Sequence, residues 1–416
     1  MAVEISLEHI EISSARLKGI AAHTPMMKNK NLSDSFQASI YLKREDLQVV
    51  RSYKIRGAYN LISSLSKEQL AQGVVCASAG NHAQGVAYSC NLLKTSGKIF
   101  MPTTTPKQKM NQVKLFGGSY ADIILTGDTF DDAYNEALNY SRQHQRAFVH
   151  PFDDERIIAG QATVAKEITD DSDFIIDYLF VPIGGGGLAA GVVSWFKHVS
   201  PHTKIIGAEP QGAPAMANSI KAGKNIALEQ IDKFVDGAAV KKAGDITFEI
   251  CKDYLSDILL VPEGKVCTTI IRLYNEEAIV AEPAGALTIA ALDMYSEKIK
   301  NKNVVCILSG GNNDLGRMDE IKERSLLYEG LKHYFIINFP QRAGALREFL
   351  DDVLGPDDDI THFEYTKKSM KEYGPALVGI ELKHPKDYHA LLSRLNEKKI
   401  QYTLVNNDPT LFNFLL

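Results

Sequence analysis

No uninterrupted apolar stretch in this chain approaches the roughly 20 residues that a helix needs to cross a bilayer, so no membrane span is expected. The first residues, Met1-Ala-Val-Glu-Ile-Ser6, lack a basic region leading into an apolar run, and no signal peptide is read there. Positive charge is in short supply: 46 lysines and arginines face 51 aspartates and glutamates, a formal net charge of −5. That balance gives nucleic acid or an anionic membrane surface no electrostatic reason to bind. Cysteine is scarce. Cys76, Cys90, Cys251, Cys267 and Cys306 are scattered, odd in number and mostly set among apolar neighbours. They read as reduced core thiols without metal-ligand spacing. No internal repeat is visible, and the acidic run Gly355-Pro-Asp-Asp-Asp359 is too short to be more than a loop. What is present is a chain of 416 residues, 45% hydrophobic and 23% charged, long enough for two or three domains with large cores. A cytoplasmic enzyme is the expected class.

Over roughly the first 310 residues, short apolar runs alternate with segments of helical period, the pattern of an α/β domain with a mostly parallel sheet. Strands are expected at 74–77, 98–101, 178–181, 204–207 and 304–308, and their uniformly apolar character suits strands covered on both faces. Helices are expected at 81–94, 188–198 and 284–300. After Gly316 the character changes. Residues 317–330 are charged and helix-prone and read as a connecting helix. Beyond them, a strand at 334–338, a helix at 345–353, strands near 360–365 and 376–382, a helix at 386–398 and a strand at 401–405 give the βαββαβ order of a ferredoxin-like unit.

Four segments carry chemistry. In Arg51-Ser-Tyr-Lys54-Ile-Arg-Gly57-Ala-Tyr59, the Lys54 amine can form a Schiff base with a carbonyl, although a lone lysine here also fits a solvated helix position. Gly184-Gly-Gly-Gly187-Leu188 ends an apolar strand and opens a helix, so bare backbone N–H groups can gather around an anion. Ser78-Ala-Gly-Asn81-His82 lies in another strand-to-helix turn, where free N–H groups can receive a carboxylate. There Ser78 can cap the helix, and His82 fits a packed histidine better than a catalytic one. Ser309, in Ser309-Gly-Gly-Asn312, closes a strand; an isolated serine there reads first as a helix N-cap. All four sit where strands end and helices begin, the ligand-binding edge of open α/β sheets.

Together with His23-Thr-Pro25, Lys43-Arg-Glu-Asp46, Gly187-Leu-Ala-Ala-Gly191 and Glu282-Pro-Ala-Gly285, these segments resemble the fold-type-II, tryptophan synthase β-like, pyridoxal phosphate enzymes. They resemble the biosynthetic threonine ammonia-lyases more closely. The resemblance implies a catalytic domain over 1–320 with two α/β subdomains, which dehydrates and deaminates L-threonine to 2-oxobutanoate and ammonia. It implies pyridoxal 5′-phosphate as cofactor, Lys54 as its covalent anchor and proton carrier, and Tyr53, Asn81, Gly184, Gly185, Gly186, Gly187, Leu188, Glu282 and Ser309 around it. Asn81 would bond the ring hydroxyl and Ser309 the pyridine nitrogen. For Glu282, a plain acidic residue before a proline-started helix fits equally well. Ser78, Ala79, Gly80, Asn81 and His82 would hold the substrate.

Serine dehydratase or racemase is the alternative activity. Racemases of this family carry serine at the position of Ala79, and alanine has no exchangeable proton, which disfavours racemisation. A retired enzyme serving as a non-catalytic amino-acid sensor is the alternative of another class. The resemblance also implies a linker over 321–330 and an ACT-like regulatory domain over 331–416. Its effectors would be isoleucine and valine, bound near Arg342, Ala343, Gly344, Ala345 and Leu346, in a homotetramer built as a dimer of dimers. A monovalent cation at Glu209 and Ala213 is a further implied site.

Overall fold

Six strands build a sheet in the order Met26–Lys28, Ser39–Arg44, Asn303–Leu308, Tyr178–Pro182, Lys204–Pro210 and Asp257–Val261. All its pairs are parallel except that of Met26–Lys28. A second, wholly parallel sheet runs Ala121–Leu125, Gly97–Met101, Val74–Ala77 and Ala147–Phe148. The protein is described here as a computed structural model covering residues 4–367, 372–406 and 408. It divides into two units, Met1–Asp314 and Leu315–Leu416, and both parallel sheets belong to the first.

The buried strands explain themselves. Val74–Ala77 and Tyr178–Pro182 are buried at every position, because helices cover both faces. Helix Gly187–Val199 buries ten residues, Gly187 to Phe196, against the larger sheet and helix Glu155–Asp170. The expected strands at 74–77, 98–101, 178–181, 204–207 and 304–308 all form, some a residue or more longer. The expected helix 284–300 does not. Helix Pro283–Ala290 tightens into a 3₁₀ turn at Ala291–Tyr295 before a short helix at Ser296–Ile299. The Tyr295 hydroxyl donates to Asp257 Oδ2, and its ring packs edge-on to Tyr178 and Phe180. Those distant contacts override a helix-prone sequence.

In the second unit the antiparallel order is Asp359–Tyr365, Tyr373–Glu381, Lys332–Pro340, Tyr402–Leu404, as a ferredoxin-like βαββαβ chain requires. Helices Ala345–Val353 and Asp387–Glu397 bury Phe349, Val353, Leu391 and Leu395 against Phe335, Ile337, Val378 and Ile380. The expected connecting helix spans Met318–Tyr328. It belongs to this second unit: Glu323 accepts from both Lys332 and the Tyr334 hydroxyl on the first strand. The expected regulatory span 331–416 includes 368–371, 407 and 409–416, which lie outside the described residues, as do residues 1–3 of the leader reading. No described helix is long and apolar enough to cross a membrane.

Candidate active site

A cleft of about 690 Å³ opens between the two parallel sheets of the first unit. Lys54, Tyr53, Ser78 to His82, Gly184 to Leu188, Glu282, Ser309 and Asn312 all line it. Segments spread over some 260 positions of sequence therefore meet in one place.

Lys54 begins helix Lys54–Ser63, and its Nζ donates to the carbonyl of Pro151 at 2.8 Å. Burial lowers its pKa to about 8, while the charge of Glu282 opposes the shift. The helix is anchored by a buried ion network two residues on. Arg56 bonds Glu45 through Nε and Nη2, both at 2.8 Å, and reaches Glu167 through both terminal nitrogens. Lys43 bonds Glu167 at 2.7 Å and the Thr24 carbonyl at 2.6 Å. The Thr24 hydroxyl donates to Glu45. His23-Thr-Pro25 and Lys43-Arg-Glu-Asp46 thus serve to fix the Lys54 helix rather than to line the cleft. Removing one member of such a network typically costs about 3–5 kcal/mol.

The glycine run is a cradle of unused donors. Among the described residues, no acceptor meets the N–H groups of Gly184, Gly185, Gly186, Gly187 or Leu188. Gly186 has φ +91°, a left-handed conformation that favours glycine. At Gly185 an added Cβ would strike the Phe152 ring at 2.3 Å. The loop is held from behind by Thr247, whose hydroxyl donates to the Gly185 carbonyl at 2.6 Å, and by the N–H of Gly244 on the same oxygen. Asp153 in turn accepts the N–H groups of Asp245, Ile246 and Thr247. The segment His150-Pro-Phe-Asp153 escaped the sequence reading, having no glycine, lysine or strand-end signature. It supplies the Lys54 partner and a wall of the glycine loop.

Ser309 is 2% exposed, with its hydroxyl 3.3 Å from the Ala284 carbonyl. No helix begins directly after it, since residues 311–314 are irregular, so the N-cap reading falls. Instead Gly310 bridges Ser52, the Tyr53 N–H donates to the Ser309 carbonyl, and the Gly311 N–H donates to the Arg51 carbonyl. The serine strand end is stapled to the lysine loop. Arg51, at φ +58°, takes the strained conformation that this staple requires.

Asn81 Nδ2 donates to Glu282 Oε1 at 2.6 Å, and its Oδ1 accepts from Asn312 at 2.7 Å. Burial raises the Glu282 pKa to about 7, helped by Asp236. Glu282 therefore faces into the cleft and is more than an acidic residue before a helix. The Ser78 hydroxyl accepts the Gly80 N–H at 3.2 Å, while the N-cap is Gly80 itself. The His82 ring bonds the Val149 carbonyl at 2.8 Å, and burial lowers its pKa to about 3. It is a packed, neutral histidine whose Nε2 is committed to Val149, and its backbone N–H remains for a ligand. Across the cleft mouth, Lys109 pairs with Asp236 and Lys241 with Asp131.

Two expected sites lie elsewhere. Glu209 is fully buried, its pKa raised by burial to about 7, and its oxygens accept the Met216 and Ala217 N–H groups at 2.8 and 2.9 Å. Those bonds cap helix Ala215–Ala222. Ala213 is buried close by in sequence. In the second unit, Gly344 has φ +86° and opens helix Ala345–Val353, with Ala343 before it and Leu346 exposed. Arg342 pairs there with Glu348 at 2.6 Å.

A phosphate among free backbone donors, an aldehyde within reach of a buried amine of lowered basicity, and an aromatic nitrogen at a strand-end hydroxyl are what such a cleft would hold. These are the parts of pyridoxal phosphate, and the donor set fits it. The pyridoxal-phosphate dependent enzyme family matches residues 17–310, and the C-terminal regulatory domain of threonine dehydratase matches residues 323–415. Among curated proteins, the L-threonine dehydratase biosynthetic IlvA of Halalkalibacterium halodurans is 64% identical over 413 residues, 99% of this chain and 100% of the relative. That of Bacillus subtilis is 60% identical over 99% of this chain and 98% of the relative. A solved processed threonine deaminase isoform 2 from Solanum lycopersicum matches with a TM-score of 0.74 at 41% identity, over 77% of this chain and 88% of that one. A Dictyostelium discoideum serine racemase matches at 0.69 and 30% identity, over 75% and 99%. The chain is a fold-type-II pyridoxal phosphate enzyme with a C-terminal regulatory domain. Within that class it belongs to the threonine dehydratase family.

Proposed function

We propose that the chain dehydrates and deaminates L-threonine to 2-oxobutanoate and ammonia, the first step from threonine toward isoleucine, in the cytoplasm and as a homotetramer. The observation that carries this reading is one cleft lined by Lys54, the free N–H groups of Gly184 to Leu188 and Ser309, in a chain alike over its full length to threonine dehydratases.

When bound, pyridoxal phosphate supplies an aldehyde for an amine and a ring that withdraws electrons from the substrate Cα. The protein does the rest. The N–H groups of Gly184 to Leu188 would hold the phosphate, reinforced by the start of helix Gly187–Val199. The N–H groups of Asn81 and His82, without acceptors among the described residues, receive the substrate carboxylate. Lys54 Nζ, neutral in a larger fraction than an exposed lysine, takes the Cα proton. Asn81 Nδ2 would bond the ring oxygen, and the Ser309 hydroxyl would bond the ring nitrogen. As a neutral hydroxyl, Ser309 would not hold that nitrogen protonated as a carboxylate would, which would favour loss of a β-substituent over long-lived charge at Cα. Tyr53 lies under the Lys54 ammonium at 5.4 Å and contributes a wall. Ala79 offers no proton to the opposite face, which sets this site apart from a racemase.

Purified protein should form 2-oxo acid from L-threonine and more slowly from L-serine. A protein that binds the cofactor yet yields no 2-oxo acid from either would return the reading to a non-catalytic sensor. Ser309→Asp is expected to protonate the ring nitrogen, shift the cofactor absorption and slow dehydration relative to proton return at Cα. An unchanged spectrum with unchanged turnover would remove Ser309 from the ring nitrogen. A monovalent cation at Glu209 and Ala213 and effectors at 342–346 belong to the same proposal.

A further inference from the structure

The carboxamide of Asn312 has contacts that fix its polarity. Its Nδ2 donates to the Val50 carbonyl at 2.8 Å and to Asn81 Oδ1 at 2.7 Å. A carbonyl oxygen only accepts, so Val50 decides that Asn312 presents its NH₂ end. Asn81 must then answer with its oxygen, which turns its own Nδ2 to Glu282 Oε1 at 2.6 Å. The Asn312 backbone N–H acts to lower the Glu282 pKa, against the burial that raises it. Asn312 therefore braces Asn81 on its acceptor side, while Glu282 holds its donor side. An amide has nearly the same shape in either orientation, and without Asn312 the Glu282 contact alone would set which end of Asn81 is presented to a ligand.

We propose that Asn312 is a positioning residue that locks Asn81 with its NH₂ group, and not its oxygen, available to the cofactor ring oxygen. This rests on the assignment of Asn81 to that oxygen. One Nδ2 hydrogen goes to Glu282, and the second is left for the ligand. An N–H at the ring oxygen favours its ionised form, whereas an amide oxygen there favours the protonated hydroxyl.

Asn312→Asp keeps the shape and removes the donor; Asn312→Ala removes the side chain and carries the same expectation should aspartate beside the Val50 carbonyl prevent folding. In the holoenzyme, visible absorption distinguishes the ionised from the protonated ring hydroxyl. Either variant is expected to shift that balance toward the protonated form about fivefold to tenfold, the weight of one buried hydrogen bond. Cofactor dissociation should rise by a similar factor, with the unfolding midpoint of the cofactor-free protein little changed. Asn81→Ala should shift the bands at least as far, and Asn312→Ala should add nothing in that background, because it acts through Asn81. If Asn81→Ala leaves the bands in place, the assignment of Asn81 itself fails. If Asn81→Ala moves them and the Asn312 variants do not, or if the two effects add, the positioning role is overturned.

Discussion

Lys54→Ala is expected to leave a folded protein that holds pyridoxal phosphate only noncovalently and turns over threonine about a thousandfold or more slowly. The fold should survive because the anchoring network runs through Arg56, Glu45 and Glu167, and Lys54 contributes one hydrogen bond, to Pro151. Removing a buried amine also removes its desolvation cost, which offsets part of the lost packing. The same burial gives a pH signature. Lys54 attacks an aldehyde only as the neutral amine, and its pKa near 8 means that the neutral fraction falls as pH drops through that value. Capture of pyridoxal phosphate by the cofactor-free parent should therefore rise with pH through about 8, well below the usual lysine value of about 10.4. Lys54→Ala should show no such rise. A borohydride-reducible link at some other lysine in the variant would sink the assignment of Lys54.

The parts of this site legible in the sequence share one property: their chemistry follows from local backbone context. A glycine run after an apolar strand declares an anion cradle, and a lysine in a distinctive segment declares an amine. Ser309 was ambiguous because the same strand-end position serves an N-cap. The Gly310 bridge to Ser52, a contact 258 positions away, decides between the two. Phe152 and Asp153 were invisible for the same reason, since their work is done on Gly185, Gly187 and helix Asp245–Tyr254, far along the chain. His23-Thr-Pro25 and Lys43-Arg-Glu-Asp46 stood out as motifs, but only the folded chain shows that they join Arg56 and Glu167 in a buried network. The strands were read well because full burial leaves no alternative to apolar β-branched runs. The helical period over 284–300 does not reveal the 3₁₀ turn there, because Tyr295 answers to Asp257, Tyr178 and Phe180.

Removal of the second unit is expected to leave an active enzyme that no longer responds to isoleucine. In the full chain, isoleucine should raise the threonine concentration needed for half-maximal rate by roughly 5- to 150-fold, the reach of an ordinary coupling of about 1–3 kcal/mol, and valine should oppose it. The physical basis lies at the turn around Gly344. An effector needs an approachable backbone and a helix start for its carboxylate. Gly344 provides the first, since an ideal Cβ there would meet nothing within 4 Å. Helix Ala345–Val353 provides the second. Where the chain is cut matters. A chain ending at Gly330 keeps helix Met318–Tyr328 but strips away the strand whose Lys332 and Tyr334 bond Glu323, leaving that carboxylate without both partners. A chain ending at Asp314 follows the boundary between the units and keeps Ser309 and Asn312. Both should lose inhibition, and the shorter one should be the more soluble. Gly344→Val is the point-mutant counterpart: a β-branched residue at φ +86° strains the turn, and inhibition should weaken while the uninhibited rate stays near that of the parent. Equal isoleucine inhibition of the full-length protein and of a chain ending at Asp314 would place the effector on the catalytic unit and end the regulatory assignment of the second.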